Sequence, residues 1–71
     1  MIYIGDRVKV AEVETVVRQF HGKEGKVTEI RNSRIDGDLF TVLFDEPVKL
    51  PHHSDHTRIK NLALRADQLA I

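Results

Sequence analysis

The chain of 71 residues contains no cysteine and no tryptophan, and only one tyrosine, three phenylalanines, two prolines and four glycines. Without cysteine, neither a disulfide nor a thiolate metal site can staple the fold, and the absence fits a reducing compartment. The shortage of aromatics leaves little for the ring platforms on which single-stranded nucleic acids stack: Tyr3, Phe20, Phe40 and Phe44 are the whole supply. No apolar run approaches the roughly 18 residues of a membrane span, and no basic-then-apolar leader opens the sequence. A cytoplasmic chain is therefore expected. An excess of one charge is missing too. Eleven basic and eleven acidic residues cancel, whereas a free-standing nucleic-acid binder usually carries a basic excess, because it must replace the counterions around phosphate. A chain this short is expected to form one domain, residues 1–71, and to bury only about 60% of its unfolded surface. Its core is small and leaves little room for a substrate cavity.

What is present is strand periodicity with turn punctuation. Gly5-Asp6 signals a turn, and Val8 and Val10 alternate with Arg7 and Lys9 as in a strand with one buried face. Ile2 and Ile4 are read as a short lead-in strand. Residues 12–21 place Val13, Val16, Val17 and Phe20 at helical spacing, but β-branched residues are weak helix formers, so a long loop with at most one helical turn is expected. Phe20 is expected to plug the core. Gly22 and Gly25 bracket "GKEG" and are read as corner-turning glycines. Val27 and Ile30 lie three apart, which breaks strict alternation; a bulge near Thr28 or Glu29 reconciles them.

Asp36-Gly37 is a hairpin signal. In "LFTVLFD", Phe40, Val42 and Phe44 form the core face, and Leu39, Thr41 and Leu43 the half-covered face. Pro47 is expected to end that strand. "VKLPHHSDHTRIKN" reads as a long loop. "LALRADQLAI" then supplies Leu62 and Leu64 in a fourth strand, a single 3₁₀ turn at "RADQ", and Leu69 with Ile71 in a last short strand. Five short strands without a long helix predict a small all-β barrel, whose closure would remove sticky edges.

The segments "GDRVKV", "GKEGKVTEI", "FTVLFD" and "ADQLAI" resemble, in this order, the small SH3-like barrels. Gly25, Val27 and Ile30 match the centre of the KOW-type branch of ribosomal and transcription-elongation proteins. Along nearly the whole chain the pattern is also similar to the electron-transport accessory barrels, namely the small SH3-like barrel of photosystem I and the variable chain of ferredoxin-thioredoxin reductase. The long His-bearing loop departs from the photosystem I barrel, and the missing basic excess departs from KOW proteins. The resemblance implies a five-stranded SH3-like barrel with a long loop before the fourth strand. It also implies a non-enzymatic accessory module docking on a larger complex, or else a nucleic-acid module in transcription or translation. A small regulator built on the same barrel is a third reading.

Two groups of residues are candidates for function. His52, His53 and His56, with Asp55 beside them, are ligand types that zinc accepts, and His21 could join them in the fold. A loop, however, holds them at no rigid spacing, so no metal or cofactor is expected. The competing readings are a solvated loop whose Ser54 or Asp55 caps a turn, and a partner-binding loop that gains charge as pH falls. Ser54 with its neighbours His53 and Asp55 makes no nucleophile, base and orienting group held in place, so no catalysis is expected. The second group is basic: Arg31 and Arg34 at the hairpin, with Lys26 upstream, and Arg58 and Lys60 before the fourth strand. If the hairpin and the long loop share one end of the barrel, these form a patch for phosphate or for an acidic surface such as a ferredoxin. Interspersed Glu29, Asp36, Asp38 and Asp55 make an ordinary mixed-charge surface the alternative.

Overall fold

The computed structural model describes residues 1–35, 37–49 and 58–70. Five strands are present: β1 Arg7–Val10, β2 Glu24–Ser33, β3 Gly37–Lys49, β4 Arg58–Arg65 and β5 Leu69–Ala70. Short 3₁₀ turns at Arg18–Phe20 and Ala66–Gln68 join β1 to β2 and β4 to β5. All pairings are antiparallel, in the spatial order β4-β3-β2-β1-β5. The protein is thus all-β, with no α-helix among the described residues. The ladder does not close. β4 and β5 are its two edges, and no pairing joins them among the described residues.

Alternation decides which face is buried. Val8 and Val10 of β1, Val27 of β2, and Phe40, Val42, Phe44 and Val48 of β3 point inward with Leu64 of β4. Burying each such side chain contributes about 1.5–3 kcal/mol. The loop after β1 covers this face. It delivers Val16 and Phe20 to the core, and the Phe20 ring stacks on Phe44 at 5.6 Å and 24°. Backbone bonds pin the loop at both ends: Val10 N–H donates to Lys23, Gly22 N–H to Val10, and Ala11 N–H to Gln68. Helical spacing at residues 13–20 therefore reports one 3₁₀ turn and a folded-over loop. Val17, at 57% exposure, is left outside the core.

The bulge expected near Thr28 or Glu29 is present. Val27 pairs with Val42 and Glu29 with Thr41, so Thr28 is the extra residue. It returns Ile30, opposite Phe40, to the core side. Gly37 has a φ of 75° at the β2–β3 connection, as the hairpin signal required, while Asp36 lies outside the described residues.

Four expectations need correction. Gly25 is not a turn residue. It lies inside β2, and a Cβ there would overlap the carbonyl oxygen of Leu43 and stand 2.7 Å from Cγ1 of Val42. Gly22, with a φ of 75° and open space around it, is the turn residue. Ile2 and Ile4 form no strand. Asp6 N–H donates to Tyr3 carbonyl, the Asp6 carboxylate accepts from Tyr3 N–H, and Gly5 sits at a φ of 96°, so residues 3–6 form a tight turn. Pro47 does not end β3. Pairing with β4 lapses between Leu43↔Asn61 and Val48↔Ile59, and proline, which lacks an N–H, sits in that interruption. Arg58 and Lys60 are not in a loop: β4 begins at Arg58, so the polar segment before Leu62 is partly strand.

These contacts rank two substitutions. Gly25→Ala forces the β2–β3 backbones apart and should cost about 3 kcal/mol, at the upper end of overpacking effects. Gly22→Ala meets no atoms but keeps a positive φ, and should cost about 1 kcal/mol. Urea unfolding of both variants checks the order; equal losses would place the close approach at Gly25 in error.

Candidate docking surface

The face of the sheet turned away from the core carries the chemistry. Outward positions align in rows because antiparallel pairing sets side chains on the same face about 5 Å apart. One row is Arg31 on β2, Leu39 on β3 and Arg65 on β4. The next is Glu29, Thr41 and Ala63, and a third is Arg7 on β1, Lys26, Leu43 and Asn61. Leu39 is half-buried, Ala63 is exposed, and Leu43 is exposed by 45%. The middle of the face is thus Leu39, Thr41 and Leu43, and its margin carries Arg31, Arg65, Arg7 and Lys26 together with Glu29, on strands rather than on loops.

Each arginine of these rows has an acidic partner. Arg31 Nε donates to Glu29 at 2.8 Å and Arg65 Nε to Asp67 at 3.2 Å. Arg7 makes a two-pronged pair with Asp45, its two terminal nitrogens 2.9 and 2.5 Å from the two carboxylate oxygens. That pair joins β1 to β3 across β2. The bond and charge of Arg7 hold the Asp45 carboxyl below the usual carboxylate range, and Asp45 in turn raises Arg7. Glu29 likewise raises Arg31. All three pairs are solvent-accessible, so they orient side chains more than they stabilise the fold. Lys26 has no ion pair among the described residues.

The residues singled out from the sequence do not converge. Arg31 lies beside Leu39, and Arg58 lies beside Lys49, ten positions further along β3. At about 3.3 Å per residue these sites stand near opposite ends of the strand. The hairpin carrying Arg31 and Arg34 and the start of β4 carrying Arg58 and Lys60 therefore do not share an end of the sheet, and the five cations make no single patch. Only Arg31 and Lys26 join the central rows. His52, His53, His56, Ser54 and Asp55 lie outside the described residues. Arg65, Arg7 and Asp45 join the site without having been singled out, although Arg7 and Arg65 stand at outward positions of alternating strands, a signal the sequence does contain.

His21 has a structural position. Its Nε2 lies 3.0 Å from the carbonyl oxygen of Val13 and 2.9 Å from that of Val16, so the proton is assigned to Nε2, which donates to both. The ring ties the loop that carries Val16 into the core. Gln68 ties the same loop from the other side. Its carboxamide oxygen accepts from Arg65 N–H at 2.9 Å, and its nitrogen donates to Thr15 Oγ1 at 3.1 Å. Among the described residues no group of three or more His, Cys, Asp or Glu side chains converges to hold a metal. The surface depressions are open, not enclosed: one is lined by Lys23, Glu24, Asp45, Glu46 and Pro47, another by Val13, Val16, Val17 and His21.

Two outcomes follow from these contacts. His21→Ala takes its donor from the partly buried Val16 carbonyl, while the Val13 carbonyl keeps the Val16 N–H, and should lower stability by about 1 kcal/mol, read by thermal melts. Asp45 has a folded pKa below its unfolded one. Its contribution is therefore present above the unfolded value of about 3.9 and is lost as pH falls through the lower folded value. Asp45→Asn should accordingly melt below the parent at neutral pH, and the gap should close in strong acid. A gap unchanged between neutral and acidic melts would show that the Arg7–Asp45 pair carries no stability.

No protein family matches the chain, and neither a curated protein nor a solved structure matches it.

Proposed function

We propose that this chain is a non-enzymatic docking module: a partly open SH3-like barrel that binds an acidic protein surface through the outer face of β2, β3 and β4. The row Arg31–Leu39–Arg65 carries the reading. It sets an aliphatic centre between two cations on a rigid scaffold, and the neighbouring row adds Leu43 and Lys26. Protein interfaces combine an apolar centre with a polar rim and are enriched in arginine. The zero net charge fits protein better than polyanion, because a nucleic-acid binder ordinarily carries a basic excess to replace the counterions around phosphate. The strand order and the 3₁₀ turn before β5 support the SH3-like assignment. An electron-transport accessory role is one form of this reading, with an acidic carrier such as a ferredoxin as partner. Arg34, Arg58 and Lys60 lie away from the central rows and serve as peripheral steering charges. His52, His53 and His56 remain proposed rim contacts.

The rival is a KOW-like nucleic-acid module, in which the same cations meet phosphate. One comparison separates them. A plant-type ferredoxin and mixed-sequence RNA and DNA are titrated against the chain at low and at physiological salt. Lys26→Glu with Arg31→Glu should slow association with the acidic protein about tenfold or more and change its dissociation less, as expected when charges steer encounter. An unchanged association rate removes these residues from the docking face. Binding to RNA or DNA that falls steeply with salt, with no binding to ferredoxin, replaces the protein reading with the nucleic-acid one.

A further inference from the structure

The sheet ends on β4. β3 flanks it on one side, and no strand flanks it on the other among the described residues, because β5 pairs with β1 at the opposite edge. An edge strand of 8 residues offers a row of N–H and C=O groups for a further strand to pair with. Its two faces differ. Ile59, Leu62 and Leu64 lie opposite Val48, Val42 and Phe40 on the core side. Leu64 is buried, but Ile59 and Leu62 are only half-buried although packed against the core. Arg58, Asn61, Ala63 and Arg65 lie outward. With Lys60, the strand RIKNLALR holds three cations and no anion.

We propose that β4 accepts an extended partner segment as a sixth strand, and that this segment alternates acidic and apolar residues. Its acidic side chains face outward beside Arg58 and Arg65. Its apolar side chains face inward and complete the cover over Ile59 and Leu62. Backbone pairing supplies adhesion, and the alternating side chains supply selectivity. The proposal rests on the docking reading and gives it a mode of attachment and a recognisable partner sequence.

A second copy of the chain is the competing occupant, and charge argues against it. Antiparallel pairing of β4 with its own copy brings together the cations of both strands, Arg58, Lys60 and Arg65 from each, without an anion between them. Like charges directly opposite one another destabilise a ladder. The cations that turn away a second copy are the ones that attract an acidic strand. Cationic edges do discourage chance pairing, and here that guard is also a filter.

The test uses the intact chain and a labelled octapeptide of alternating Glu and Val, followed by fluorescence anisotropy and by hydrogen exchange of the β4 amides. Two further versions of the peptide are N-methylated on alternate amides, one in each phase. Their charge is unchanged, but only one phase loses the N–H groups that face β4. The parent peptide should bind and protect the β4 amides. The blocked phase should bind about tenfold more weakly or worse, and the other phase like the parent. A Lys/Val peptide should not bind, and Arg58→Glu with Lys60→Glu should abolish binding of the Glu/Val peptide. If that variant fails to fold, the two methylated peptides decide the matter on the unaltered chain. Equal binding by both phases, or binding that leaves β4 exchange unchanged, overturns strand addition while leaving docking through Lys26 and Arg31 standing. Protection of β4 that grows with protein concentration in the absence of peptide overturns it in favour of a second copy.

Discussion

The fold depends on the close approach of β2 to β3 at Gly25. A Cβ at that position would overlap the Leu43 carbonyl oxygen, so only a residue without a side chain lets the two backbones meet there. Gly25 lies opposite Phe44 in the ladder, and Phe44 is the ring on which Phe20 stacks. The loop after β1 thus reaches the core at the place where β2 contributes no side chain. Val27 and Val42, the adjacent pair, are completely buried. A domain of this size has a thin core, and removing one such contact takes a large share of its stability.

From this ladder the outer face inherits its order. The bulge at Thr28 turns Ile30 inward and Glu29 and Arg31 outward, and that register puts Arg31, Leu39 and Arg65 in one row. The interruption between Leu43 and Val48 does a second job. It holds Pro47 where no ladder donor is needed, and it lets Val48 return to the core. The Arg7–Asp45 pair then bridges β1 and β3 over the same region. Packing fixes the backbone, and the backbone fixes which charges stand together.

The docking reading and the edge-strand proposal depend on different parts of this arrangement. The first uses side chains of the face, the second uses the backbone of β4, and Arg65 lies on both. A partner that covered the face and added a strand would meet one continuous surface, with Leu39 and Leu43 in the middle and Arg31 and Arg65 at its margin. Rigid strands suit either mode, because little side-chain or loop ordering is then required on binding.

Much of the core is legible in the residues themselves. Phe40, Val42 and Phe44 as one buried face, the bulge near Thr28, the 3₁₀ turn at Ala66–Gln68 and the burial of Phe20 all follow from side-chain periodicity or size, which are local properties. Gly25 and Pro47 escape a local reading because their roles depend on a neighbouring strand: one is required by the Leu43 carbonyl oxygen, the other is tolerated by a gap in pairing with β4. Arg58 and Lys60 look like loop because a polar stretch can equally be an edge strand, whose outward side chains meet water. The candidate site is the least legible part. Types and counts of charged residues are written in the sequence. Which of them share a row is set by register, and register is decided only when strands pair, since a shift of one residue moves every side chain to the other face. Composition and alternation therefore determined an all-β chain with a small valine and phenylalanine core, and only tertiary pairing separated Arg31 from Arg58 and joined Arg31 to Arg65.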